Sequence, residues 1–294
     1  MKNLSCRAGK RLQDSGFRKS TSPVNGYAKR IWQKMSENLI DISMDGHVHT
    51  RLCHHASGEM EEYVLVAVEK GLEKLTFLEH FEVGINYFET CWLTDDDFIY
   101  YLNEGNRLQK KYDAFLDIGL GAEVGFNPER VPETLDFLER YKWDRVGLSY
   151  HYLNINGMHF NMVSRKQRNL ETLGKTGIEQ VITAYFSGLL SALEKIPVSV
   201  VCHLDAVLRH HPQVFFSEEH HEQMKKILLL MKKKDIALEI NTSGFVLRTE
   251  PYPSCFILRQ AKKMGIRFEA GSDAHRPQDI ARYFEKLPEL LSVL

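Results

Sequence analysis

From residue 39 onward the chain alternates between two patterns of apolar and polar positions. Short apolar runs, such as Leu75-Thr76-Phe77-Leu78, Val200-Val201-Cys202 and Leu238-Glu239-Ile240, stop abruptly at polar residues. Runs of this length predict strands. They end near His47, Glu79, Glu123, Tyr150, His203, Asn241 and Ser272, which makes seven. The stretches between them carry helical spacing and end signals. Residues 59–70 stop at Gly71, a natural C-terminal cap. Residues 95–112 follow Thr94, and residues 218–234 follow Ser217, each a predicted N-cap. Residues 128–141 place a proline at the first helical position behind Asn127. Further helices are expected over 176–194, 254–264 and 277–286.

Strand and helix alternating seven times predict a parallel α/β fold. A (β/α) barrel accounts for the sequence better than a doubly wound open sheet. No glycine-rich phosphate loop follows the first strand. Polar residues also cluster where strands end, which is where a barrel carries its functional groups.

Composition narrows the class. No apolar run approaches the roughly 18 residues of a membrane span. The formal net charge of −1 conceals a division. Residues 1–34 hold nine Lys/Arg and one acid, leaving 29 basic and 38 acidic residues in the remainder, a net of −9. Residues 1–38 therefore read as a basic, flexible extension or a misassigned start at Met1 instead of Met35, and residues 39–294 as the folded barrel domain. An acidic body is poorly matched to a nucleic-acid backbone and better matched to a small substrate. The five cysteines form no CxxC pair, as expected of reduced thiols in a cytoplasmic protein.

The strand ends carry the chemistry. The first gives Asp45-Gly46-His47-Val48-His49, two imidazoles at i and i+2 and hence on one face of a strand. His55 follows in the next loop, with Cys53 beside it as a less suitable donor. The later ends give Glu79-His80, Glu123, His151, His203-Leu204-Asp205, Asn241 and Ser272-Asp273-Ala274-His275. A lone histidine on a strand is ordinarily structural, but the paired spacing and repeated placement at strand ends favour metal ligation. A carboxylate at the end of an apolar strand, as at Glu123, is costly unless it is paired. Imidazoles mixed with carboxylates suit zinc, iron or manganese. His210, His211, His220 and His221 fall in loop and helix-start sequence and read as solvated.

Taken in order, these motifs resemble the PHP metal-hydrolase superfamily, whose name joins polymerase and histidinol phosphatase. Cys53-His54-His55-Ala56-Ser57-Gly58, Glu62-Tyr63, Glu239-Ile240-Asn241-Thr242-Ser243-Gly244 and Tyr252-Pro253-Ser254 are similar to its histidinol-phosphate phosphatase branch. The resemblance spans about residues 42–286. It implies a distorted seven-stranded (β/α)7 barrel holding three divalent ions. His47, His49, Glu123 and Asp273 would hold the first, Glu123, His151 and His203 the second, and His55, His80 and His275 the third. It also implies hydrolysis of L-histidinol phosphate through a metal-bridging hydroxide. The expected proton donor or relay is Asp205 or His159, with Asp205 alternatively serving only to orient His203. Arg165, Arg209 and Arg276 are expected at the phosphate, and Asn241 at the substrate or bracing its loop. The alternatives are a phosphoesterase acting on another small phosphoester or nucleotide, and a metal-binding protein without turnover.

Overall fold

The computed structural model describes residues 40–294, so the expected extension over 1–38 lies outside the described residues. The chain runs through β1 (Met44–Val48), β2 (Lys74–Phe81), β3 (Asp117–Gly125) and β4 (Arg145–Ser149). An antiparallel hairpin follows, β5 (Tyr152–Ile155) and β6 (Met158–Asn161), and then β7 (Val200–Val201), β8 (Ala237–Asn241) and β9 (Phe268–Gly271). The hairpin apart, the strands form one seven-stranded parallel sheet in chain order. Its edges meet. Val48 bridges Ala274 in parallel, the His49 N–H donates to Ala274 O at 2.9 Å, and the Asp273 N–H donates to His47 O at 2.9 Å. Asp45 fastens this seam with a fully buried carboxylate. It accepts from the backbone N–H groups of Ser272 at 3.0 Å and Ala281 at 2.8 Å. The sheet is thus a nearly closed barrel, as the strand count predicts.

The helices are α1 (Met60–Glu69), α2 (Asp95–Tyr112), α3 (Val131–Arg140), α4 (Gln167–Thr176), α5 (Ile178–Lys195), α6 (Glu218–Lys234), α7 (Gly244–Leu247), α8 (Cys255–Lys263) and α9 (Leu287–Ser292). Thr94 and Ser217 do cap α2 and α6, each accepting from the backbone N–H three residues on. The core is divided. One apolar cluster packs α5, α6 and α8 against β4, β7 and β8, and a second packs α1 and α2 against β1, β2 and β3. Inside the barrel, Leu78 and Cys202 approach across Gly147, where a Cβ would lie 2.7 Å from the sulfur. At the N-terminal ends of the strands, Arg145 of β4 pairs with Glu269 of β9, its guanidinium against Gly46 of β1.

Three differences from the sequence expectations have physical causes. The helix expected over 277–286 is replaced by short 3-10 turns at Pro277–Asp279 and Phe284–Lys286. Asp45 captures the Ala281 N–H, and the Arg282 guanidinium donates to the carbonyls of Ser272 and Asp273. These tertiary bonds hold Ala281 and Tyr283 at φ of 50° and 61°, which no α-helix accommodates. The helix expected from residue 128 starts at Val131, because Asn127 closes a turn by accepting from the Glu129 N–H. The hairpin was not expected, although Asn156-Gly157 between two short apolar runs is a strong turn signal. Both residues have positive φ, 54° and 82°.

Candidate metal centre

The C-terminal ends of the strands converge on Glu123, which is fully buried at the end of β3. Its two oxygens face different histidines. Oε1 lies 2.8 Å from His203 Nε2 and 3.4 Å from His151 Nε2. Oε2 lies 2.8 Å from His80 Nδ1 and 3.5 Å from each Nε2 of His47 and His49. Asp273 arrives from the seam, its Oδ1 3.5 Å from His49 Nε2 and 3.9 Å from His47 Nε2. His55 and His275 complete the group, with Nε2 atoms 2.9 Å apart. His203 and Asp273 stand at φ of 26° and 51°. Non-glycine residues rarely adopt this region, and where they do the strain commonly marks a functional position.

The donor atoms fit divalent cations. Those of His47, His49 and Asp273 lie within 4.8 Å of one another, as do those of His80, Glu123 and His151, of His49, His80 and His275, and of Cys53, His55 and His275. His47 and His49 turn their Nε2 atoms toward each other at 2.8 Å. Two imidazole nitrogens at that distance need a proton or a cation between them. Glu123 Oε2 is buried without a donor in line. Natural proteins seldom leave such an atom unsatisfied, and an ion is one common reason. His55 and His80 have rings 5.2 Å apart, and His275 joins each of them in a separate cluster. His275 thus links His55 and His80, the other two members of the third set implied by the resemblance.

Charge within the cluster is strongly displaced. Burial opposes ionisation of Glu123, yet His80, His151 and His47 hold its carboxyl well below the usual range. Burial likewise opposes a charged His151, but Glu123 and Glu82 push it up to about 10. His80 and His275 are held well below the usual range, first by burial and then by His49.

Behind the ring nitrogens stands a second set of carboxylates. Glu239 Oε1 lies 2.5 Å from His47 Nδ1, and Glu239 Oε2 accepts from the His203 backbone N–H at 2.8 Å. Glu82 Oε1 lies 2.8 Å from His151 Nδ1. Glu79 accepts from the backbone and hydroxyl of Thr50, while its Oε2 faces His49 Nδ1 at 3.9 Å. These roles are not among the sequence expectations. The available signal was an acid inside an apolar strand, as at Leu238-Glu239-Ile240, which applies here as it does to Glu123. Two glycines make room. A Cβ at Gly271 would overlap Glu239, and one at Gly125 would overlap the Glu82 carboxylate. Gly125→Ala is expected to push Glu82 off His151 and lower metal affinity about 10–100-fold, the usual cost of losing such a partner. Competition titration with a chromophoric chelator checks this.

The remaining expected residues separate into those that reach the site and those that do not. The cluster opens into a cavity of about 520 Å³ whose lining includes Arg165, Arg209, Lys166 and Arg282. Arg209 is anchored by Nε on the Val163 carbonyl, and its Nη1 lies 3.9 Å from Asp273 Oδ2. Arg276 instead pairs with Asp279, its side chain 65% exposed. Arg282 is the cation that enters the cavity from this segment. Asp205 is buried and engaged elsewhere, by a fork from Arg248 and the Ser254 N–H. His159 Nδ1 accepts from the Asn86 N–H, so the hairpin clamps the loop after β2. Asn241 donates to Glu239 and accepts from Ser243, which braces the loop after β8. Among the histidines read as solvated, His220 is fully buried against Ser217 and Thr183. His210 lines the cavity, where burial and the nearby Arg209 and Arg165 pull it down to about 4.

A parallel barrel that gathers seven histidines and two carboxylates at its strand ends defines a metal-binding barrel of the hydrolase type. The chain belongs to the PHP domain family, whose model matches residues 45–243. A relative from Deinococcus radiodurans, named a probable histidinol-phosphatase, is 29% identical over 85% of this chain and 93% of its own length. The histidinol-phosphatase of Bacillus subtilis is 27% identical over 83% of this chain and 98% of its own. A solved histidinol phosphate phosphatase from Lactococcus lactis, complexed with zinc, L-histidinol and phosphate, shares the fold at a TM-score of 0.70. It is 23% identical, covering 85% of this chain and 92% of that one. Among the described residues no helix is long and apolar enough to cross a membrane.

Proposed function

We propose that this chain is a metal-dependent phosphomonoesterase that hydrolyses L-histidinol phosphate to L-histidinol and phosphate. The observation that carries the reading is the convergence on Glu123 of nitrogen donors from several strands, beside a cavity lined with arginines. The curated relatives, aligned over most of both chains, supply the substrate.

His47, His49, Glu123 and Asp273 would hold one ion, Glu123, His151 and His203 a second, and His55, His80 and His275 a third. The two oxygens of Glu123, facing different histidines, support its shared role. Divalent ions, when bound, supply positive charge for the phosphoryl oxygens and acidify a water molecule. The protein's own part is positioning. Glu239 and Glu82 fix the rings of His47 and His151. Arg209, held at its Nε and with Nη1 3.9 Å from Asp273 Oδ2, would turn its terminal nitrogens to phosphate oxygens at the edge of the metal cluster. Arg165 supplies further positive charge at the cavity wall. The proposed compartment is the cytoplasm, where scattered cysteines without a CxxC pair stay reduced.

A phosphate-release assay across a panel of phosphoesters, with zinc, iron or manganese supplied, tests this function. L-histidinol phosphate should give a kcat/KM at least about a hundredfold above nucleotide and sugar phosphates, a difference of roughly 3 kcal/mol in transition-state binding. A preference of that size for another phosphoester would contradict the substrate while leaving the metal centre standing.

A further inference from the structure

What stands behind five of the seven imidazoles, those of His47, His49, His151, His55 and His275, divides the cluster in two. On the inner side, Nδ1 of His47, His151 and His49 faces the carboxylates of Glu239, Glu82 and Glu79 at 2.5, 2.8 and 3.9 Å. On the outer side, His55 Nδ1 donates to the Cys53 carbonyl at 2.8 Å, and His275 Nδ1 donates to the Asp273 carbonyl at 3.0 Å. A carboxylate behind a ring raises the basicity of the ligating nitrogen and adds negative charge near the ion, whereas a carbonyl mainly fixes its orientation. The carboxylates among the ligands are unequally placed as well. Glu123 sits amid the inner rings and also reaches the buried His80 at 2.8 Å, while the His55–His275 pair has Asp273 Oδ1 near it, 3.5 Å from the far nitrogen of His275. Solvent access follows the same division. His47, His49 and Glu123 are fully buried, whereas His55 is exposed and the His275 side chain is 27% exposed.

Resting on the metal-dependent reading above, we infer that the ions are of two classes: an inner pair around Glu123 that is firmly held, and one outer ion at the His55–His275 end that exchanges with solution. Occupancy of the outer position then follows the free metal concentration. The buried Cys53 sulfur lies in the same outer cluster and is the feature most able to oppose this. A thiolate donor would hold a zinc ion tightly.

The test counts metal. The full chain is loaded with zinc, freed of excess, and equilibrated against graded EDTA, and zinc per chain is measured by mass spectrometry. The expected result is two steps, one ion lost first and two lost at a free-zinc level at least about tenfold lower. His55→Ala should remove the first step and keep the second, with its fold verified by circular dichroism. Cys53→Ser should leave the first step where it is. A single step for all ions overturns the inference, and so does an outer ion that is retained longest or that becomes labile only in Cys53→Ser. A folded chain that takes up no zinc overturns the metal-dependent reading itself, an outcome distinct from those three.

Discussion

Glu123→Ala is expected to lower phosphate release on the order of a thousandfold and to reduce the metal bound per chain. The physical reason is the position of the side chain. Glu123 is fully buried, and its oxygens lie within 3.5 Å of nitrogens of His47, His49, His80, His151 and His203. Removing it leaves several imidazoles facing one another without their common counter-charge, so cations placed among them would repel with less compensation. Metal assistance is worth several kcal/mol of transition-state stabilisation, and each 1.4 kcal/mol is a factor of ten in rate. Glu123→Gln keeps the shape but loses the charge, and should fall nearly as far. Steady-state kinetics with metal analysis on the same samples checks both variants. Wild-type activity in Glu123→Gln would mean that the negative charge plays no part.

The largest effect on stability is expected at the opposite end of the barrel. Arg145→Ala should destabilise the domain by about 3–5 kcal/mol, the usual cost of leaving one member of a buried ion pair alone. Arg145 and Glu269 are 8% and 13% exposed, and the Arg145 guanidinium fills the space beside Gly46. Glu269 retains a partner in the exposed Arg267, which places the expectation at the lower end of that range. The double variant Arg145→Met with Glu269→Leu should recover much of the loss, because no buried charge is then unpaired. Urea denaturation read by circular dichroism measures each variant. A loss below about 1 kcal/mol in Arg145→Ala would show that water or Arg267 already satisfies Glu269.

Most of the metal-ligand candidates were legible because they lie at or just beyond a strand end, where sequence order and spatial convergence coincide; His55, in the loop after β1, was legible only through the family resemblance. His47 and His49 share a face by strand parity, and Asp273 joins them because the seam pairs its N–H with the His47 carbonyl. The barrel was legible for the same reason, since seven apolar runs ending in polar residues leave few alternatives. Residues on loops were not. Arg276 and Arg282 lie six positions apart in one irregular segment, and tertiary contacts decide which of them enters the cavity: Asp45 holds the Ala281 N–H and the carbonyls of Ser272 and Asp273 hold Arg282, while Arg276 turns to Asp279. Asp205 follows a ligand candidate by two residues, as in a strand, but β7 ends at Val201 and the turn delivers its carboxylate to Arg248. His159 sits in a hairpin that strand–helix alternation does not anticipate. The carboxylates at Glu79, Glu82 and Glu239 were visible as acids among apolar neighbours, yet nothing in the spacing says which ring each one faces.

Phosphate release from L-histidinol phosphate by the chelator-stripped chain, before and after metal is returned, tests the central claim most directly. The stripped chain should be inactive, and added zinc, iron or manganese should restore turnover. Undiminished hydrolysis by the metal-free chain would contradict the claim.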